Sequence, residues 1–342
     1  MKKIIVLFVL FFAFQGFAQD AAFVQQKLDE GGIWRAGDYV LETAVYGRRP
    51  IAIIGGSFKA SKEITDTRLA MIYFGYTEKI TLQNVTIDGN LAERAGAWFC
   101  NGTTDAYRGG NLHFDHVNDV LVDGLITKNA VCGSGMHFSG KRARIINSQF
   151  VSNGKPGVRF HWSDGLTLLN CDQCVVAENL FANATDIGLV FGGGRQSLIT
   201  RNIFRQSVPA FAAFAMDNFA DSQSGDFSGT IVSDNLIDCG LNCDFGANLG
   251  PHAWYLSANT RGGTFKRNSI HGGKIGILIG GAGTVDAPIS VFDNDLVSVL
   301  EPGATANFSC GDRVTWPIIV SPDSFALTRR EVTVAGFHRT CP

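Results

Sequence analysis

Charge is scarce in this chain. Only 18% of its 342 residues are charged, and 29 Lys+Arg against 31 Asp+Glu leave a formal net charge of −2. So weak and even a balance gives no electrostatic case for nucleic acid as a partner. A hydrophobic content of 45% excludes a disordered chain or a long charged coiled coil. Proline is sparse, at 9 residues, against 40 glycines, a balance that suits a turn-rich β protein. Between Ala70 and Val299 no stretch sustains the i, i+3, i+4 apolar spacing of a capped helix, which excludes a helical solenoid. Long apolar runs are missing after residue 18. The one such run, Ile4 to Phe14, follows Lys2 and Lys3 and ends at Gly16-Phe17-Ala18. That is the layout of a secretory signal peptide, too short for the ~20 residues of a spanning helix. Residues 1–18 are therefore set aside. Residues 19–342 are expected to form one domain with no membrane span, secreted or periplasmic.

Eight cysteines remain, an even number in a chain bound for an oxidising compartment, which favours disulfides. Their pairing is not legible from spacing. Cys171-x-x-Cys174 and Cys239-x-x-x-Cys243 leave a four-Cys zinc site as an alternative.

Internal repeats carry the most information. One element reads Asn111-Leu112-His113-Phe114, Gly135-Met136-His137-Phe138, Gly157-Val158-Arg159-Phe160 and Gly188-Leu189-Val190-Phe191. Weaker copies lie at Ile72-Tyr73-Phe74, Phe214 to Met216, Trp254 to Leu256 and Ile275 to Ile279. A second element places Asn before an apolar residue, at Asn84, Asn147, Asn179, Asn202, Asn235, Asn268 and Asn294. Short β-branched strands with Asn or Gly at the corners describe a β-solenoid. The one helical pattern is Asp20 to Glu30, with Asp20 as N-cap and Gly31 as stop.

With these features the chain resembles the pectin-lyase-like right-handed parallel β-helix superfamily from about Ala21 to Val299. The resemblance implies an all-β, single-stranded right-handed parallel β-helix. A short N-terminal capping helix leads into coils over about 50–299, and a C-terminal cap over about 300–342 closes the last coil. The paired Asp-Asp, Gly-His-Gly and Arg-x-Lys motifs of its polygalacturonases are absent, as is the Trp-Ile-Asp-His segment of its pectate lyases. Phe114-Asp115-His116 is only a distant echo of the latter. Function has to be sought in the site.

If Met136 and Phe138 point into a coil, His137 points out. The same parity puts Tyr73, His113, His137 and Arg159 in one outward row, and Asp115, Ser139 and His161 in the next. Stacked cations call for an anionic partner. The leading expectation is thus a polysaccharide lyase acting on a uronate-containing glycan by β-elimination. Arg159 would clamp the carboxylate, His137 or His161 would serve as base, Tyr73 or His113 as proton donor, and Asp115 would orient a His. The alternative is a glycoside hydrolase using Asp164 and Asp186, which flank one groove. A non-catalytic carbohydrate-binding or structural solenoid is the third reading. Trp162 would stack a sugar under either enzyme reading, with Lys155 and Arg195 as further substrate contacts. Calcium could be held by Asp164 and Asp186, or a metal by His113, Asp115 and His137. Gly192-Gly193-Gly194 reads as a tight turn, and Cys239 to Asn259 as an excursion from the repeat.

Overall fold

A computed structural model of the chain describes residues 20–62, 64, 70–94, 100, 109–158, 161–218, 224–251, 259–284 and 286–297. It also gives the backbone of Glu301–Thr305, Val314–Thr315 and Ile319–Val320. The expected signal segment, Arg159, His252, Trp254, Cys310, Cys341 and most of the expected C-terminal cap lie outside the described residues.

The helix Asp20–Glu30 buries Ala21, Val24 and Leu28 against the first coil. It stops where Gly31, at φ 70, donates its N–H to the Lys27 carbonyl at 3.1 Å, the left-handed close that glycine permits. Asp20 reaches further than a cap, accepting the Val40 N–H at 3.0 Å in the strand Asp38–Leu41. Helix and entry strands thereby close the N-terminal end of the stack.

From there the chain winds through three faces per turn, and the strands of successive turns pair in parallel. The first face stacks Val45–Gly47, Ile72–Gly75, the starts of Leu112–Asp123 and Met136–Ile146, then Leu166–Asp172, Ile187–Phe191, Ala210–Met216, Cys243–Leu249 and Ile275–Ile279. A second face follows each of these strands. The third forms a separate sheet with eleven strands among the described residues. This is a right-handed parallel β-helix. Its coils do not end near residue 299, because Glu301–Thr305, Val314–Thr315 and Ile319–Val320 add a further turn.

Inside, like side chains stack on like. Phe150, Phe181 and Phe204 lie 4.8 Å apart in parallel on the third face, and Phe74, Phe114 and Phe138 continue at 5.3 and 5.8 Å on the first. Such pairs are worth about 0.5–1.5 kcal/mol each beyond their burial.

The asparagine repeat splits into two columns. Asn179, Asn202, Asn235, Asn268 and Asn294 are buried, the first four each handing an Nδ2–H to the next Oδ1 at 2.8–3.0 Å. The same Nδ2 groups reach backbone carbonyls inside the turn, as Asn202 does to Val176 at 2.9 Å. Ser148 takes the ladder's place one coil earlier. Asn84 and Asn147 belong instead to the preceding, exposed column, in which every residue is left-handed: φ is 54 and 52 for these two, and 51 to 61 for Glu178, Arg201, Asp234, Arg267 and Asp293. Asparagine suits both jobs, tolerating the left-handed backbone in one column and bonding through its amide in the other, so the sequence pattern merged them.

Disulfides join Cys100 to Cys132, Cys171 to Cys174 and Cys239 to Cys243. Each close pair bonds to itself, which removes the four-Cys zinc alternative.

Candidate active site at a corner groove

The expected outward row begins as read. Tyr46, Tyr73, His113 and His137 occupy equivalent positions on four successive coils, with ring centroids 5.9, 5.1 and 4.5 Å apart. The next place, however, belongs to Thr167 and not to Arg159. Gly157-Val158, which open the imitated strand motif, lie in a loop where Lys155 N–H bonds the His161 carbonyl at 3.1 Å and His161 N–H the Val158 carbonyl at 3.2 Å. The strand of this coil is Leu166–Asp172. His161 accordingly leaves the second row. It is buried in that loop, where burial and the Lys155 charge push its imidazole down.

His113 and His137 are not solvent-facing either, at 4% and 5% exposure. Burial, and then the neighbouring His113, hold His137 well below the usual imidazole range. The stack therefore needs no anionic ligand to relieve repulsion, because burial disfavours the charged form of the His137 ring. Beyond Thr167 the row runs through Val190, Ala215, Asn248 and Leu278, all buried.

Asp115 is bonded to one histidine, His116. His116 Nδ1 lies 2.6 Å from its Oδ1, the Tyr73 hydroxyl donates to Oδ2 at 2.9 Å, and Ser139 donates at 3.2 Å. Burial alone would raise this carboxyl, but the bonds from His116 and Tyr73 hold it below the ordinary range. Burial and the same carboxylate push the Tyr73 hydroxyl far up, making it a poor acid.

The open site lies at the other edge of the first face, where each turn passes from the third face to the first. A groove of about 820 Å³ runs there, lined by Lys155, Trp162, Asp186, Phe211, Asp244 and Lys274 among others. Its floor is one column. Ile187 pairs with Ala212, Ala212 with Phe245, and Phe245 with Ile275, so Asp186, Phe211, Asp244 and Lys274 stack on successive coils. Lys274 Nζ donates to Asp244 Oδ1 at 2.6 Å. Trp162, 58% exposed, stands at one wall as an aromatic platform. Thr185 Oγ1 fixes the loop that carries it, donating to the His161 carbonyl at 2.9 Å and accepting Ser163 N–H at 3.1 Å.

Asp164 sits beside this column. Thr167 Oγ1 donates to its Oδ2 at 2.7 Å and Ile187 N–H to its Oδ1 at 3.2 Å. Burial, and then the charge of Asp186, push the Asp164 carboxyl up to about 8; burial pushes Asp186 up to about 6. Near neutrality one proton is thus held between two neighbouring carboxyls, and Asp186 is the one that lines the groove. A hydroxyl and an N–H already point at the Asp164 oxygens, a donor set suited to a carboxyl and not to calcium. Among the described residues no group of three or more His, Cys, Asp or Glu assembles as a metal site.

Of the expected contacts, Lys155 and Trp162 line the groove, whereas Arg195 does not. It pairs with Asp172 at 2.9 Å in a separate cavity of about 410 Å³ on the far corner of the first face. Sequence reasoning missed Asp244, Lys274 and Phe211. Treating Cys239 to Asn259 as an excursion hid the strand Cys243–Leu249, whose register brings Asp244 under Asp186.

No protein-family model matches the chain, and no curated protein matches it in sequence. Solved structures do. A hyperthermoactive exopolygalacturonase from Thermotoga maritima is 12% identical at a TM-score of 0.53, over 89% of this chain and 88% of that one. Endo-xylogalacturonan hydrolase from Aspergillus tubingensis is 14% identical at 0.51, over 96% and 97%. A family 28 exopolygalacturonase from Yersinia enterocolitica is 12% identical at 0.51 over 86% of this chain, which spans 64% of that protein. The likeness is one of fold, the parallel β-helix.

Proposed function

We propose that this chain is an exported glycoside hydrolase that cleaves a polysaccharide in the corner groove with inversion at the anomeric carbon. The observation that carries this reading is the column Asp186, Phe211, Asp244, with two carboxyls separated by one intervening coil inside an open groove. Two coil spacings are roughly 9–10 Å, near the about 6.5–9.5 Å that leaves room for a sugar and an attacking water between acid and base.

In the acidic range where Asp186 holds its proton, burial having raised it to about 6, it gives that proton to the glycosidic oxygen as the bond from C1 breaks. Asp244, held by Lys274, takes a proton from the water that attacks C1 from the opposite side. The product is a hemiacetal of inverted configuration, and solvent returns the proton from Asp244 to Asp186. Trp162 stacks a pyranose ring and Lys155 meets a sugar carboxylate at the rim. Asp164 touches no substrate in this scheme and acts by position, bearing on the charge state of Asp186.

The fold shared with enzymes named for galacturonans supports an acidic polysaccharide as substrate. The absence of their paired-Asp, Gly-His-Gly and Arg-x-Lys motifs means that this chain supplies acid and base from its own column. The signal-like segment and three disulfides support export. The elimination reading is weaker, because His113 and His137 are buried.

The test is incubation of the chain with a panel of uronate and neutral polysaccharides, following reducing ends and near-ultraviolet absorbance together. New reducing ends without absorbance are expected, and they should vanish in Asp186→Asn. Both signals rising would replace hydrolysis with elimination, and silence on every glycan would leave a binding solenoid.

A further inference from the structure

We infer that the corner carrying Tyr76 and His116 is a second sugar-binding site, remote from the groove, which takes one pyranose ring of a polysaccharide by stacking and a hydrogen bond. From the proposed function it borrows only the ligand class. Where the groove follows the corner from the third face to the first, Tyr76 and His116 sit at the opposite corner, from the first face to the second, on two earlier coils.

The two residues occupy equivalent places, joined as Tyr76 N–H donates to the Asp115 carbonyl at 2.8 Å. Their rings stack in parallel, 5.0 Å apart with 5° between planes. Both stand in water: Tyr76 is 76% exposed, and the His116 side chain 67%. Both backbones are left-handed, at φ 51 and 53. Glycine and asparagine accept such a backbone readily, and on the next coil the register shifts, Gly140 pairing with Val117. A large aromatic at a left-handed corner is costly, and here the ring covers no core. A ring kept there in solvent is fitted to something outside the chain.

His116 is also held in one orientation. Its Nδ1 is bonded to Asp115, which is tied in turn to Tyr73 and Ser139, and its backbone N–H donates to Ser139 Oγ at 2.9 Å. With Nδ1 bonded to the carboxylate, Nε2 is the ring's remaining polar atom. The coil after His116 holds Gly140 at this corner, so no side chain extends the stack there; a Cβ at Gly140 would lie 1.8 Å from the Val117 carbonyl oxygen. The stack of rings thus ends on a flat aromatic face with an oriented ring nitrogen at its edge, the pairing that receives a sugar's C–H face and one hydroxyl.

Affinity electrophoresis of the full chain through gels holding each polysaccharide of the panel tests this. Tyr76→Asn and His116→Asn keep residues that accept the left-handed backbone, and unchanged melting temperatures would show that both fold. The expected result is retardation of the wild type by at least one polysaccharide, weakened about 3- to 10-fold in each variant, with Asp186→Asn retarded like the wild type. Cleavage of a short oligosaccharide should be unaffected in Tyr76→Asn, while KM for the polymer rises. Equal retardation of wild type and both variants, or no retardation of the wild type by any polysaccharide, would overturn the site. Retardation that depends on Tyr76 without cleavage of any glycan would sink the hydrolase reading and leave this site standing.

Discussion

Asp186 and Asp244 stand in one column with Phe211 between them, because the strands Ile187–Phe191, Ala210–Met216 and Cys243–Leu249 stack in register. Exchanging either carboxyl for its amide leaves shape and packing almost intact while removing acid or base. Asp186→Asn and Asp244→Asn are each expected to lower kcat by about 10²- to 10⁴-fold, with thermal melting close to wild type. Steady-state kinetics on the responsive polysaccharide checks this.

Trp162 contributes surface and no proton. Because it is 58% exposed, Trp162→Ala should leave stability within about 0.5 kcal/mol while raising KM roughly tenfold through lost stacking. A fall in kcat with KM unchanged would count against the platform.

The Asp164 and Asp186 pair sets a pH dependence of definite sign. Both carboxyls hold protons more tightly folded than unfolded, so their contribution to stability is complete below about pH 4. It is lost as pH rises through about 6 and about 8. Activity that needs a protonated Asp186 falls over the same rise. Asp186→Asn removes the charge that raises Asp164, so the alkaline loss of stability should shrink. Chemical denaturation at several pH values reads this, and an unchanged alkaline limb would refute the coupling.

His137 gives the opposite limb and separates hydrolysis from elimination. Its imidazole is depressed by burial, so the unfolded chain takes up a proton that the folded chain refuses. Stability is therefore complete above about pH 6.5 and lost as pH falls below it. His137→Phe keeps a ring against His113 and should flatten that acid limb while turnover stays within about twofold. Loss of turnover in a folded variant would return the catalytic role to the histidine row.

Asn202 bonds Val176, Asn179 and Asn235 at once. Asn202→Ala strands these partners in the interior and should cost on the order of 2–5 kcal/mol in denaturant unfolding. Asn147→Gly, in the exposed left-handed column, should change stability by about 0.5 kcal/mol or less.

Much of the coil was legible because stacking repeats its demands. Phe114 and Phe138, or Asn202 and Asn235, must recur wherever one turn rests on the next, and the helix Asp20–Glu30 announced both of its ends. The site was less legible. Gly157-Val158-Arg159-Phe160 has the composition of a strand motif, and only the pairing of Met136 with Leu166 gives that place to another segment. His113 and His137 follow strand parity outward, yet parity says nothing of what covers a face, and both are buried. Asp164 and Asp186 were visible as a pair, of which only Asp186 lines the groove. Asp244 was not, since its distance from Asp186 is set by coil lengths that differ from turn to turn.

The most direct measurement is a time course of polysaccharide digestion by proton NMR, reading the first anomeric signal released. The expected product is a saturated sugar whose anomeric configuration is opposite to that of the bond cleaved, absent with Asp186→Asn. A product of retained configuration, or a vinylic proton from an unsaturated end, would contradict inverting hydrolysis at the Asp186 and Asp244 column.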